Sequence, residues 1–300
     1  MKAIGLLSGG LDSILAIKLI KDQGIDVIAM HFLNPFMTET SKEKIEKVAK
    51  KLGVKVVFVK ADKSYLNCIR KPRHGYGKHM NPCLDCRVFI LKKAKQLAKK
   101  LNAQFVFTGE VLGERPMSQN KQGLMLVEKE SGLKGKLIRP LSGKLLPETK
   151  WIEKNKLLDI QGRTRKRQLE LAKKWKIDYY SSPAGGCLLT DKEFANKMRD
   201  LFGHEKNIDL KDIEILKYGR HFRFGKNKVI VGRNHEENLK LKKLKRKQDY
   251  VFECVGIPGP TTILQGPKTK KIIRQAARLT VRYTKFKKAN VRYNKKIVEV

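Results

Sequence analysis

The segment that most constrains this chain is Ser8-Gly9-Gly10-Leu11-Asp12-Ser13. It follows an apolar run at 2–7 that reads as a buried strand and opens a helical pattern over 12–23. Two glycines let backbone N–H groups approach an anion, and the N-terminus of the following helix favours negative charge. Ser8 and Ser13 add hydroxyl donors, whereas Asp12 would repel a phosphate unless a cation lay between them, which implies Mg2+. A serine-capped turn could occur in any α/β protein, but a strand before and a helix after are the context a phosphate loop demands. No Gly-Lys-Ser/Thr follows and the GxGxxG spacing is missing, so the Walker and dinucleotide loops are excluded.

The first 145 residues alternate strand and helix patterns. Strands are predicted at 26–32, 54–59, 104–109 and 136–141. Helices are predicted over 12–23 with Ile14, Ile17 and Leu19 inward, from a Thr40/Glu43 capping box to Gly53, and over 87–101. This rhythm predicts an α/β fold, an open parallel sheet with helices on both faces that binds ligands beyond the carboxyl ends of its strands. A helix over 165–176 capped by Thr164, a glycine-rich stretch from Ser181 to Cys187 and a helix near 191–202 follow. Beyond about 206 the pattern becomes short alternating pieces, a helix at 268–278 and a closing strand pair, LTVRY with ANVRY. The expected organisation is one domain at 1–205 and a small basic mixed or β-rich domain at 206–300.

Sixty-seven Lys and Arg oppose 29 Asp and Glu, a formal charge of +38. A Lys-rich thermophile surface would enrich Glu as well, so the excess points to a polyanionic partner, nucleic acid first. Arg70, Lys71, Arg73, His74, Lys78 and His79, with Tyr76 among them, precede Cys83, and Arg163, Arg165, Lys166 and Arg167 precede Cys187. Arg274, Arg278, Arg282, Lys285, Lys287, Lys288 and Arg292 crowd the C-terminal segment with Tyr283, Phe286 and Tyr293. Such mixtures suit phosphate contacts and base stacking. The stretch 240–247 reads as an exposed helix face that adds long-range attraction. No signal peptide is visible and no apolar run approaches the ~18–20 residues of a membrane span. A cytoplasmic location and no membrane partner are expected.

Five cysteines, an odd number, argue for reactive or metal-bound thiols over a disulfide framework. Cys83-Leu84-Asp85-Cys86 precedes the helix expected from about Arg87, where the dipole would lower thiol pKa values. A redox pair, a metal half-site and two buried small residues all remain open for this pair. Cys187, in what reads as an exposed Gly-Gly-Cys turn, adds a third thiol. Three thiolates can hold an iron–sulfur cluster with one iron lacking a protein ligand, and zinc with three cysteines and a water competes. Cys68 and Cys254 read as packing residues.

SGGLDS at the end of the first strand resembles the PP-loop of the ATP-pyrophosphatase superfamily, over residues 1 to about 205. Those enzymes cut ATP between the α and β phosphates and attach AMP to a substrate oxygen. The resemblance implies an adenine nucleotide α-hydrolase-like domain holding ATP and Mg2+ at Ser8, Gly9, Gly10, Leu11, Asp12, Ser13 and Gly109, with Met30, His31 and Phe32 bordering the adenine. NPCLDC and GGCLLT resemble the two catalytic cysteine regions of 2-thiouridine synthases of the MnmA kind. TGEVLGERPMSQ at 108–119 is similar to a segment of 4-thiouridine synthases of the ThiI type, with Glu114 where those usually carry glutamine.

Together these motifs imply an ATP-dependent tRNA sulfurtransferase that adenylates a base carbonyl with release of pyrophosphate and replaces the oxygen by sulfur. Asp12, Cys86 and Cys187 are the implied catalytic residues, and Cys83, Cys86 and Cys187 the implied ligands of a [4Fe-4S] cluster, with zinc as runner-up. Cys187 or Cys86 carries a persulfide in a cluster-free version. The implied partners are tRNA and a sulfur donor (sulfide, a carrier protein or a cysteine desulfurase), and a homodimer is compatible with the motifs. Two departures stand out. The ThiI type carries an RNA-binding extension before its PP-loop, and some cluster-dependent thiolases carry terminal zinc-finger cysteines that this sequence lacks. The competing readings are another PP-loop tRNA-modifying enzyme that uses an amine, and an RNA-binding protein with a vestigial nucleotide site. The intact Ser8, Gly9, Gly10, Asp12 and Ser13 argue against the last.

Overall fold

The computed structural model describes residues 1–37, 41–181 and 186–300, which form two compact units, Met1–Asp191 and Lys192–Val300. Five apolar runs of the first unit pair as parallel strands: β1 (Lys2–Leu6), β2 (Asp26–Leu33), β3 (Lys55–Lys60), β4 (Phe105–Phe107) and β5 (Leu137–Ile138). Their order is β3-β2-β1-β4-β5. Such runs suit a parallel sheet because both faces are covered by helices. Those helices are α1 (Leu11–Lys21), α2 (Lys42–Leu52), α3 (Lys63–Arg70), α4 (Cys83–Lys100), α5 (Lys121–Ser131) and α6 (Lys166–Lys174). Ile14, Leu15, Ile17, Ile45 and Val48 fill one face of the sheet, and Val88, Leu91, Ala94 and Val127 fill the other.

The chain winds from β1 out to β3 and then returns to set β4 on the other side of β1. The connections diverge at the carboxyl ends of β1 and β4, which opens the crevice where doubly wound sheets take ligands. Residues 8–13 follow β1 and Thr108-Gly109 follows β4, so both motifs meet at this switch point.

Several local expectations are corrected. α4 starts at Cys83, ahead of Arg87, so both cysteines lie in its first turn. Thr40 lies outside the described residues. α2 is capped by Ser41, whose hydroxyl accepts from Lys44 N–H, and it stops at Gly53, where φ is 62°. α6 has Arg165 at its N-cap and no side-chain cap, so Thr164 does not start it.

In the second unit α7 (Lys192–His204) and α8 (Leu210–Glu214) precede a six-stranded antiparallel sheet. Its strands are β6 (Arg220–Phe224), β7 (Asn227–Val231), β8 (Tyr250–Cys254), β9 (Thr262–Gln265), β10 (Asn290–Tyr293) and β11 (Lys296–Glu299), in the order β11-β10-β8-β9-β7-β6. Helix α9 (His235–Leu244) sets Leu241 against Ile230 and Ile263. Helix α10 (Lys270–Arg282) packs Ile272, Ala276, Ala277 and Leu279 against Val229, Val231, Phe252 and Leu264. LTVRY is therefore the end of α10 rather than a strand, because its buried Leu279 and Thr280 continue the helical period of Ile272 and Ala276. ANVRY pairs instead with β11 and β8. The units divide at 191/192, whereas the sequence suggested 205/206. α7 goes with the second unit because its Asp200 is paired with Arg223 and Lys228.

Candidate active site

The turn after β1 is braced internally. Gly9 has φ 86°, a conformation that favours glycine, and Gly10 caps α1 in extended backbone. Ser13 Oγ donates to the Gly10 carbonyl at 2.8 Å and accepts from Ser8 N–H at 3.2 Å. Ser8 Oγ donates to Ser13 Oγ at 3.1 Å and accepts from Gly10 N–H at 3.3 Å. Ser181 N–H donates to the Gly9 carbonyl at 2.9 Å, which ties the chain at Ser181 to the loop; residues 182–185 of the glycine-rich stretch lie outside the described residues. Leu11 is fully buried, so it anchors the turn through packing.

Gly109 closes the loop from the β4 side. A Cβ there would stand 2.5 Å from the carbonyl carbon and oxygen of Asp12 and 2.6 Å from Ser13 N. Only a residue without a side chain lets these two backbones approach so closely.

Asp12 Oδ1 is buried with no hydrogen-bond partner. Burial pushes the Asp12 carboxyl up, and the charges of Arg165 and Arg115 partly offset this. Glu114 is also raised, by burial and then by the charge of Asp12. An unspent, buried carboxylate oxygen at a phosphate loop fits a divalent cation, which neutralises the charge and supplies the missing partner. Sequence reasoning gave Arg165 to RNA and did not single out Arg115 or Gln168, but all three act on Asp12. The two arginines do not stand out among 67 basic residues, and nothing local marks the neutral Gln168, on a different helix from Asp12.

Met30, His31 and Phe32 lie at the end of β2, with all three side chains buried. His31 Nδ1 sits 2.7 Å from the Leu7 carbonyl, and burial lowers its pKa, so the ring is held neutral with Nδ1–H as donor. Phe32 meets Tyr65 edge-on with ring centroids 5.2 Å apart.

The thiols gather around α4. Cys83 Sγ donates to Asn81 Oδ1 at 3.1 Å, and Cys86 Sγ lies 3.1 Å from Tyr65 Oη. Cys187 is half-buried rather than exposed. It forms an antiparallel bridge with Met37, and Leu188 N–H donates to the Phe36 carbonyl. Its thiol feels both Cys86 and Cys83. Burial pushes Cys187 up to about 12 and also raises Cys86, which reverses for Cys86 the expectation that the helix N-terminus would depress it. Desolvation of a thiolate outweighs a partial helix charge. Cys68 is likewise pushed up to about 12, by burial and then by Cys86, so it borders this group as well as packing.

Three thiols in mutual electrostatic reach match the donor chemistry of an iron–sulfur cluster. Among the described residues no three His, Cys, Asp or Glu side chains already close around a metal position.

Other motif residues are structural. Glu110 of the TGE segment is buried, with Arg87 Nε 3.1 Å and Arg139 Nε 3.2 Å away. Burial alone would raise its carboxyl, but the two guanidinium groups hold it below the usual range. Arg139 also reaches Glu128 at 3.0 Å, so this network joins the β4 end to α4, α5 and β5. His74, expected to face RNA, lies between Asp85 at 3.3 Å and Glu130 at 3.2 Å. In the second unit Tyr283 packs under Arg220 and against Phe222, and Tyr293 stacks on Phe252. Of the three C-terminal aromatics proposed to stack on bases, Phe286 is the most exposed, at 47%.

Residues 1–150, half of the chain, match the family described as thiamine biosynthesis protein (ThiI). The chain belongs to this family. Residues 219–297 match the NFACT protein RNA binding domain. A probable tRNA sulfurtransferase of Thermococcus kodakarensis is 29% identical over 164 residues, 53% of this chain and 39% of that protein. The tRNA-specific 2-thiouridylase MnmA 2 of Fusobacterium nucleatum is 38% identical over 109 residues, 34% of this chain and 32% of that protein. The chain thus spans less than two-fifths of these relatives. Among solved structures, a 4-thiouridine synthetase–RNA complex with bound ATP aligns at TM-score 0.44 and 20% identity, covering 72% of this chain and 52% of the other. The U34-tRNA thiolase NcsA from Methanococcus maripaludis with its [4Fe-4S] cluster aligns at TM-score 0.37 and 19% identity, covering 72% and 70%. No described helix is long and apolar enough to cross a membrane.

Proposed function

We propose that this chain is an ATP-dependent tRNA sulfurtransferase acting in the cytoplasm. The observation that carries the reading is the presence, in one compact unit, of a phosphate loop with an unspent Asp12 oxygen and of three thiols within electrostatic reach of one another. A base carbonyl is a poor electrophile until its oxygen becomes a good leaving group. Attack of that oxygen on the α-phosphorus of ATP breaks the bond to the β-phosphate, and pyrophosphate departs within the loop 8–13. Asp12 would hold a divalent cation there, which would balance that charge. Sulfur then adds to the activated carbon and AMP leaves with the original oxygen.

A [4Fe-4S] cluster held by Cys83, Cys86 and Cys187 would supply sulfide and keep it from solvent. Without one, Cys86 or Cys187 carries a persulfide. Sulfide replenishes only a cluster-bound sulfide. In the cluster-free version a cysteine desulfurase or a carrier persulfide passes sulfane sulfur to one cysteine. Once the persulfide has attacked the activated carbon and AMP has left, the other cysteine attacks the inner sulfur. This frees the thiolated base and forms a disulfide that a thiol reductant reopens. Tyr65, Phe36 and Leu189 are buried, and Tyr65 reaches Cys86 Sγ, so apolar packing beside the thiols limits water around the sulfur. RNA is recruited by the second unit, whose match to an RNA-binding domain and exposed basic residues on α10 support this role.

ATP–pyrophosphate exchange with and without bulk tRNA tests the first half, and tRNA-dependent exchange is expected. Its absence from anaerobically prepared protein would overturn the enzymatic reading. Iron, sulfide and zinc quantified in wild type and in Cys187→Ala test the second half. Stoichiometric zinc without iron in active protein would remove the cluster.

A further inference from the structure

Gln168, on α6, has no exposed surface, and neither its amide nitrogen nor its amide oxygen has a hydrogen-bond partner among the described residues. Native proteins seldom leave a whole primary amide unpaired in the interior, and each such group calls for an explanation. Its surroundings supply one. α6 packs against α1, and the Gln168 amide lies beside the Asp12 carboxylate, whose Oδ1 is likewise buried and unpartnered. Arg165, three residues earlier, has a buried Nε that is also unpartnered. An amide and a carboxylate oxygen, neither in a hydrogen bond of proper geometry, therefore lie together at the first turn of α1, within reach of the Arg165 charge.

We propose that Gln168 is a positioning residue for Asp12: with nucleotide in the loop, its Nε2–H donates to one carboxylate oxygen and turns the other toward the divalent cation that accompanies the phosphates. The side chain's neutrality suits this role. A carboxylate here would repel Asp12, and a lysine or arginine would compete with the cation for it. An apolar residue would fill the space and leave the carboxylate free to rotate. The amide stays unpaired until the ligand arrives, so the site holds a local instability that binding relieves. This inference rests on the ATP-binding reading above.

Full-length Gln168→Met, close to isosteric, and Gln168→Glu serve as the test. Each is titrated calorimetrically with Mg·ATP and with AMP in the absence of divalent metal, and melted without ligand. Gln168→Met is expected to bind Mg·ATP about tenfold more weakly, the loss of one hydrogen bond to a charged group. Its AMP affinity stays unchanged and its Tm is equal to or above wild type, because the unpaired amide is gone. Gln168→Glu is expected to lose Mg·ATP binding further, while AMP binding again persists. Unchanged Mg·ATP affinity in Gln168→Met, or equal losses for Mg·ATP and AMP accompanied by a lower Tm, would overturn the proposal in favour of a packing role. Wild-type protein that fails to bind Mg·ATP would overturn the nucleotide reading itself, an outcome distinct from both.

Discussion

The Tyr65 hydroxyl lies 3.1 Å from Cys86 Sγ, at the end of a ring that is 2% exposed and set among Phe32, Phe36 and Phe89. Burial, then the neighbouring Cys86, pushes the phenol pKa well above its usual value, so the hydroxyl keeps its proton. A rigid aromatic on α3 thereby orients the second thiol of α4.

Tyr65→Phe keeps the ring and deletes that bond. Urea unfolding is expected to show a loss of about 1 kcal/mol. Sulfur transfer to tRNA is expected to fall about tenfold, the equivalent of one positioned hydrogen bond, with ATP–pyrophosphate exchange unchanged. Exchange that drops in parallel would assign Tyr65 to the stability of the whole unit instead.

Gly109→Ala forces a methyl against the Asp12 backbone, which cannot yield without moving the phosphate loop. The expected result is a loss of about 1–3 kcal/mol and a Mg·ATP affinity too weak to measure by calorimetry. Gly203→Ala is the control. It lies in α7 with open space around the added Cβ and is expected to gain roughly 0.5–1 kcal/mol. Wild-type affinity in Gly109→Ala would show that the loop is softer than its packing implies.

Asp200 makes the second unit acid-sensitive. Burial alone would raise its carboxyl, but hydrogen bonds from Arg223 at 2.8 and 2.7 Å and from Lys228 at 2.9 Å hold it well below the usual range. A carboxyl depressed in the folded state stabilises it above the unfolded pKa of about 3.9, and that contribution is lost as pH falls through the folded value. Asp200→Asn is expected to cost roughly 2–4 kcal/mol at pH 7, because it leaves the 5%-exposed Lys228 without its counter-charge. The gap from wild type should narrow steadily below about pH 4 in urea titrations. A gap independent of pH would mean that shape rather than charge holds the pair.

Lys271, Arg274, Arg278 and Arg282 are exposed along one side of α10, while Ile272, Ala276 and Leu279 are buried on the other. If each of the middle two meets one phosphate, Arg274→Ala/Arg278→Ala reduces the slope of log affinity against log salt for single-stranded RNA by about 1.4. Filter binding at several salt concentrations measures it. An unchanged slope would move the RNA contact to another face.

Much of the site could be read locally. The strand–turn–helix around Ser8–Ser13 is encoded by an apolar run, two glycines and a helical period in immediate succession, and it forms as expected. The helix expected from about Arg87 begins at Cys83 instead, directly after Pro82 at the N-cap and with no side-chain cap that the sequence could display. LTVRY has the β-branched and aromatic look of a strand, but the sheet needed the buried side of a longer helix to cover it.

By itself the sequence determined the parallel α/β architecture, the phosphate turn and the inventory of thiols, because periodicity and short motifs are properties of neighbouring residues. Tertiary structure decided which distant groups share a space. Packing of α6 on α1 brings Gln168 and Arg165 to Asp12, and packing of α3 on α4 brings Tyr65 to Cys86. It also decided protonation. The dipole of α4 is visible in the sequence, but the burial that outweighs it and keeps Cys86 and Cys187 as thiols exists only once the chain has folded around them.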